Sequence, residues 1–268
     1  EAPAGQSRSR TSKGLVVAQM ALSIILLISA ALFLVNLRSA TTLDKGFVSE
    51  NLLLADLNPA LQGYPRPRSE AFFRQLIERL RTNPSVRGVA LISDAPLGLG
   101  NSDRGVTIPG YTPRTNEGMS IPYARTSPGY FRTMGIGLRE GREFTAQDDS
   151  SAAPVIVVNQ HFVDRFWPGQ SAVGRVVRTA GREFTVVGVV PTGKYVRLGE
   201  DPTAFLYFAQ AQLWTSSMSL VERAASDPQA LIPMLRDEVA ALDANLPLSN
   251  IRTMDQHLGL ALLPARVA

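Results

Sequence analysis

The rhythm of apolar and polar positions changes several times along this chain. Residues 15–35 (LVVAQMALSIILLISAALFLV) carry no charge over 21 positions. As a helix they extend about 32 Å at roughly 1.5 Å per residue, the thickness of a bilayer's hydrocarbon core. A signal peptide's apolar region is shorter and a buried core helix is usually interrupted, so the pattern predicts a membrane helix over 14–37. Gln19, Ser23 and Ala30 fall on one face of it, at i, i+4 and i+11. Small and polar residues on one face suit packing against a partner helix. Arg8, Arg10 and Lys13 precede the segment and outweigh the basic residues just after it. The positive-inside rule therefore places 1–13 in the cytoplasm as a basic tail and the rest outside.

Beyond the membrane segment the pattern becomes that of a folded domain. Residues 51–57 (NLLLADL) read as a strand and 64–68 (YPRPR) as a turn. Residues 69–82 then place Phe72, Phe73, Leu76, Ile77 and Leu80 on one helical face, with Arg74, Glu78 and Arg81 towards water. Asn83-Pro84 ends that helix, and 86–93 (VRGVALIS) is the next strand. A second strand–helix–strand unit closes the chain. It has a strand at 217–223, a helix opened by Asp227-Pro228 and started late or kinked by Pro233, and a returning strand at 245–254. The two units predict an α+β fold with helices on one face of a sheet.

Between them, over 94–216, short apolar runs alternate with Gly and Pro, the grammar of a mainly β subdomain inserted into the α/β one. Residues 175–190 form a hairpin around Ala180-Gly181. Two short helices interrupt, one capped by Ser127 and one at 160–167, whose aromatic residues and Trp167 read as core. Residues 98–105 read as a loop.

Candidate chemistry changes this picture little. Gly188, Gly193 and Lys194 have the spacing of a phosphate-binding loop, but Tyr195 stands where a Ser or Thr must hold Mg²⁺, and no helical pattern follows. Asp148 and Asp149 read as a solvated turn rather than an acid–base pair. The chain has no cysteine and two histidines, His161 and His257, neither with a second ligand at helical spacing. Net charge is +4, from 27 basic and 23 acidic residues. There is no basic stripe interleaved with aromatics, so no nucleic-acid partner is expected. No catalytic, cofactor-binding or metal-binding set emerges, and the reading is of a non-enzyme without a cofactor. The chain opens at Glu1 and stops within an apolar stretch, which leads us to expect sequence on both sides.

The ordered landmarks together resemble a known family. They are LVVAQMALSIILLISAALFL with Gly46-Phe47, RLRTNPSVRGVA, Pro96-Leu97 and SPGYFRTMGIGLREGREFTAQDD. VIVVNQHFVDRFWPGQSAVGRVV, VVGVV and LDANLPLSNIRTMDQHL follow in order. The chain is similar to the extracytoplasmic core domain of MacB-like and FtsX-like ABC transporter permeases, of the duplicated orphan type. The resemblance implies a porter-like α/β subdomain over 46–93 and 217–257 and a second, inserted subdomain over 94–216. It also implies an approach to a further membrane segment over 258–268. It further implies an external domain of a bacterial inner-membrane permease, coupling cytoplasmic ATP hydrolysis to export or mechanical work. The implied partners are a cytoplasmic ATPase domain or subunit, other permease helices or a second permease copy, a periplasmic adaptor protein, and membrane lipid. A ligand-sensing external domain of a membrane receptor is the alternative, since it too pairs a membrane helix with α/β structure.

Overall fold

The structure is a computed structural model and describes residues 16, 19–32, 45–98, 100 and 102–261. It divides into two units, 1–43 and 44–268. In the first, 19–32 is an exposed helix in which the Ser23 and Ser29 hydroxyls donate to the carbonyls of Gln19 and Ile25. This stretch lies inside the predicted 14–37 span; the basic tail and most of the remaining positions of the span lie outside the described residues. Among the described residues no helix is long and apolar enough to cross a membrane.

The second unit is built on one sheet. Its strands are β1 (Leu52–Leu57), β2 (Val86–Ile92), β3 (Ser102–Gly105), β4 (Ser120–Thr126), β5 (Glu140–Gly141), β6 (Val155–Asn159), β7 (Val176–Thr179), β8 (Arg182–Val190), β9 (Leu206–Ala209), β10 (Met218–Ala224) and β11 (Ser249–Thr253). The helices are α1 (Arg66–Arg81), α2 (Tyr130–Met134), α3 (Gln160–Phe166), α4 (Ile232–Leu242) and α5 (Met254–Ala261). The strand order is β11-β1-β10-β2-β4-β9-β6-β8-β5, with β3 added to β4 and β7 to β8.

The first four strands in that order are mutually antiparallel. The units β1-α1-β2 and β10-α4-β11 interleave, so each pair of strands is separated by one strand of the other unit. That is a split β-α-β, ferredoxin-like arrangement. Both helices pack on one face, where Phe72, Phe73, Leu76 and Leu80 of α1 and Leu235 and Val239 of α4 meet Leu53, Val89, Leu91 and Leu220. On the other face Leu52, Leu54, Ala90, Ile92 and Val221 meet Tyr130, Phe131 and Met134 of α2 and Met254 and Leu258 of α5. Because both faces are covered, β1 and β6 read as continuous apolar runs instead of alternating.

The second face does not stop at the α/β strands. The same buried cluster continues through Val155, Val157, Val190 and Tyr207, so the two halves of the sheet share a core. A third cluster lies behind the inserted strands, where Phe162, Phe166 and Trp167 pack on Ile156, Val158, Phe184 and Phe208. Between the halves, β2 and β4 pair at Ile92 and Thr126 alone. On each side of that pair a serine hydroxyl takes a backbone N–H: Ser127 Oγ accepts from Leu91 (2.9 Å) and Ser93 Oγ from Arg125 (3.0 Å).

Several sequence expectations are corrected. Helix α1 begins at Arg66, three residues early, because Pro67 suits a first turn, where a backbone N–H has no intrahelical partner. Ser127 does not cap α2: Gly129 holds the N-cap position, and the hydroxyl serves the β2–β4 seam. Residues 102–105, read as loop, form β3, since β4 offers an open edge. The strand expected to run to Met254 ends at Thr253. There Thr253 Oγ1 accepts from Gln256 N and Gln256 Oε1 accepts from Thr253 N, a capping box that starts α5.

Candidate functional site

The segment with phosphate-loop spacing turns out to be a docking point for the chain's own backbone. Gly188 lies in β8 against β5, and a Cβ there would stand 2.3 Å from the Arg142 carbonyl oxygen. Gly193 lies against Gly46, whose φ is +79°; a Cβ on Gly46 would sit 2.4 Å from Gly193 Cα. Gly188 and Gly46 are thus required by close backbone approach, which is one of the few reasons to prefer Gly. Lys194 N–H donates to the Lys45 carbonyl at 3.0 Å, and its ammonium donates to the Glu200 carbonyl. The Glu200 carboxylate accepts the N–H groups of Tyr195, Val196 and Arg197 at 2.6, 3.0 and 2.9 Å. Those successive N–H groups form the concavity an anion would use. The chain's own carboxylate fills it.

Residues 45–50 form a strap held at both ends. Beyond the Lys45–Lys194 bond, Val48 N–H donates to the Met134 carbonyl at 2.9 Å. Arg223 of β10 then reaches three carbonyls: Thr133 through Nε (2.7 Å), Glu50 through Nη1 (2.7 Å) and Val48 through Nη2 (2.8 Å). Its planar fork of donors suits this task where a lysine would not. The strap therefore bonds to the inserted half through residues 134 and 194 and to the α/β half through Arg223.

The hydrogen bonds continue from the strap to the last helix. Leu97 N–H donates to the Tyr195 carbonyl at 2.7 Å, and His257 Nε2 lies 2.9 Å from the Pro96 carbonyl oxygen. Arg252 Nε donates to His257 Nδ1 at 3.0 Å, which fixes the proton on Nε2. Burial holds His257 below the usual histidine pKa, with Arg252 acting in the same direction; the Pro96 bond and Asp56 oppose it.

Aromatic packing stiffens this junction. The Tyr195 and Phe205 rings stack at 3.8 Å between centroids, 11° from parallel. Tyr195 Oη accepts from Asn159 Nδ2 (3.0 Å) and Gly193 N–H (3.2 Å). The fully buried Asn159 also donates to the Thr203 carbonyl and accepts from Phe162 and Phe205, so all of its hydrogen-bonding capacity is used. A cavity of about 30 Å³ remains between Phe47, Tyr130, Tyr195 and Tyr207. That is room for a single water.

A wider groove of about 400 Å³ runs between α1 and residues 145–150 and 209–214, with Phe73, Ile77 and Trp214 on one wall and Arg74, Glu78 and Asp149 at its edge. Asp148, expected to be solvated, is instead buried in this wall and takes a bidentate pair from Arg142 at 2.7 and 2.8 Å. That pair holds its carboxyl below the usual aspartate range. Asp149 is exposed and accepts from Ser151 and Ala152, as a turn aspartate does.

Gln19, Ser23 and Ala30 all stand in the exposed helix 19–32, with Ser23 bonded back to Gln19. Sequence reasoning did not single out Gly193 as a docking glycine, Arg223 as a clamp, or His257 as a buried link. Gly46 was noticed only as part of a family landmark. Nothing in spacing signals partners between 90 and 175 positions away.

The chain belongs to the MacB-like periplasmic core domain family, whose profile matches residues 14–242. It is thus the extracytoplasmic core domain of a MacB-like ABC-type transporter permease. Over 88 residues it is 28% identical to the macrolide export ATP-binding/permease protein MacB of Neisseria gonorrhoeae, and equally to that of Neisseria meningitidis. The match covers 30% of this chain and 14% of the relative's length. The periplasmic region of MacB from Actinobacillus actinomycetemcomitans superposes with a TM-score of 0.52 at 17% identity, covering 79% of this chain and 92% of that one. The extracellular domain of the noncanonic ABC-type transporter YknZ gives 0.45 at 14% identity, covering 71% and 91%.

Proposed function

We propose that this domain couples cytoplasmic ATP hydrolysis to export or mechanical work across the bacterial inner membrane. The observation that carries this reading is the strap: residues 45–50, which follow the predicted membrane segment in sequence, bond to both halves of the sheet and not to one edge of it. A pull on the strap is shared between the halves at once. In this reading 14–37 anchors the chain with 1–13 in the cytoplasm. Gln19, Ser23 and Ala30 pack against another permease helix or a second copy. The porter-like part is 46–93 with 217–257, the second subdomain is 94–216, and 258–268 leads to a further membrane segment. An ATPase domain or subunit supplies the work, lipid surrounds the anchor, and an adaptor docks on the external face. The Neisseria relatives are named for macrolide export; the substrate of this chain is a separate matter.

The test is a long flexible Gly/Ser insert after Thr42 in the full-length transporter, placed before the strap so that every strap contact survives. Such linkers are random coils and transmit little force. Transport falls while ATP hydrolysis by the partner persists. Undiminished transport with a long insert overturns the coupling and leaves a passive docking or sensing domain.

A further inference from the structure

The last helix, α5, is attached to the rest of the domain in two ways of different chemistry. Met254 and Leu258 bury apolar surface in the shared core, and the Thr253–Gln256 capping box closes the helix start; none of these groups titrates. The other attachment runs through His257, 4% exposed, which bridges β11 and the loop after β2. Its Nδ1 accepts from Arg252 Nε and its Nε2–H donates to the Pro96 carbonyl. The geometry admits the neutral ring alone. A second proton would have to go on Nδ1, where it would point at the Arg252 N–H 3.0 Å away, donor against donor and cation against cation.

We infer that His257 is an acid-released clasp, holding the β11 corner to α5 and, through it, to the 95–98 loop at neutral pH, and letting go of the β11 corner when it is protonated. The groups facing it decide the balance. From β11 comes Arg252, which opposes protonation. From β1 comes Asp56, which favours it, but Asp56 already accepts from Ser219 Oγ (2.5 Å) and Asn250 Nδ2 (2.8 Å). The 95–98 loop contributes only the Pro96 carbonyl, and on α5 itself Asp255 is exposed. Once the Arg252–His257 bond is lost, the Arg252 guanidinium keeps a single 3.4 Å contact to the Asn250 carbonyl. The helix stays formed, and its docking loosens. The clasp concerns the domain's own conformational equilibrium, so it stands or falls separately from transport coupling.

The sign follows from linkage. A histidine held neutral when docked contributes its full stability above the unfolded pKa of about 6.5 and loses it progressively as pH falls below that value and through the lower docked one. Hydrogen exchange of the full 268-residue chain in detergent reads the opening, with protection factors referred to intrinsic rates at each pH. Between pH 7.5 and 5.5, protection of peptides covering 250–258 falls, by at most about one decade per unit below the free pKa. His257→Gln, which keeps one donor and one acceptor but does not titrate, shows no such fall. Equal protection of the unmodified chain at the two pH values overturns the clasp, and so does an equal fall in His257→Gln. Should that variant fold poorly, titration of the His257 ring by NMR in the unmodified chain decides. A midpoint clearly below about 6.5 supports the clasp, and a midpoint at or above that value refutes it.

Discussion

Two fully buried polar side chains, one in each half of the sheet, are treated in opposite ways. In the inserted half, Asn159 is fully buried and spends every donor and acceptor on Thr203, Tyr195, Phe162 and Phe205. In the α/β half, Glu222 of β10 is also fully buried, and neither carboxylate oxygen has a partner. Its strand neighbours Leu53 and Val89 belong to the apolar cluster under α1 and α4. The inserted half adds interlocked rings, with Phe208 edge-on to Tyr123 at 5.3 Å and Phe184 at 5.1 Å. The α/β half has edge-on rings on its helix side, Tyr64–Phe72 at 6.3 Å and Phe72–Phe73 at 5.7 Å, over a sheet face that is mainly aliphatic. Around Asn159, where the strap and the 191–195 loop meet, directional bonds are complete, while elsewhere each half leaves some buried polar atoms unpartnered, Thr126 Oγ1 and Gln210 Nε2 in one and Ser69 Oγ and Glu222 in the other.

The largest test of that contrast is Phe208→Ala. It removes a fully buried ring from β9, the strand that pairs with β4 on one side and β6 on the other. Large aromatic truncations in a core cost about 3–5 kcal/mol. Denaturant unfolding showing a loss under about 1 kcal/mol would mean that the interlocked rings matter little. Glu222→Gln is next, and its sign is opposite. Burial pushes the Glu222 carboxyl up to about 8 from 4.5. Folding must therefore take up a proton at any pH between those values. The contribution is intact below the unfolded pKa and is lost progressively as pH rises through the folded one. At pH 7 the wild-type residue costs about 3 kcal/mol at roughly 1.4 kcal/mol per pH unit. Glu222→Gln is expected to be more stable than the parent by that order at pH 7, with the gap closing by about pH 4. A gap independent of pH would assign the effect to something other than ionisation.

The same contrast governs what could be read from the sequence. The α/β half was legible because its units are local: the i, i+4 stripe of α1 and the Asn83-Pro84 stop lie within one stretch of chain. The hairpin at Ala180-Gly181 was legible for the same reason. The order of strands in the inserted half was not. Parallel pairing of β4 with β9 joins Tyr123 to Leu206, and no local pattern encodes such a partnership. The strap escaped likewise. Gly46 and Gly193 are each ordinary loop glycines by composition, and their meaning lies in the 2.4 Å a Cβ would leave. Asp148 was misjudged because a turn aspartate and one that folds inward onto Arg142 have the same sequence context.

The smallest test addresses the seam where the two halves meet. At Leu91 the backbone N–H faces the Ser127 hydroxyl, which accepts it at 2.9 Å in a buried setting. Ser127→Ala leaves that N–H without an acceptor while changing little volume. An unsatisfied buried donor costs about 1–3 kcal/mol. Ser93→Ala does the same on the other side, where Arg125 N–H loses its acceptor at a part-buried position that water can more readily serve, so its cost is expected at the lower end. If the seam is a true boundary, hydrogen exchange in Ser127→Ala accelerates at Leu91 and Ser127 more than at Leu54 or Val157, the interiors of the two halves. If instead exchange rises evenly across β1, β2 and β6, the shared apolar cluster beneath the strands, not the serine-stitched pair, holds the halves together. The sheet would then be one cooperative body, and the comparison drawn here would describe two textures of a single core.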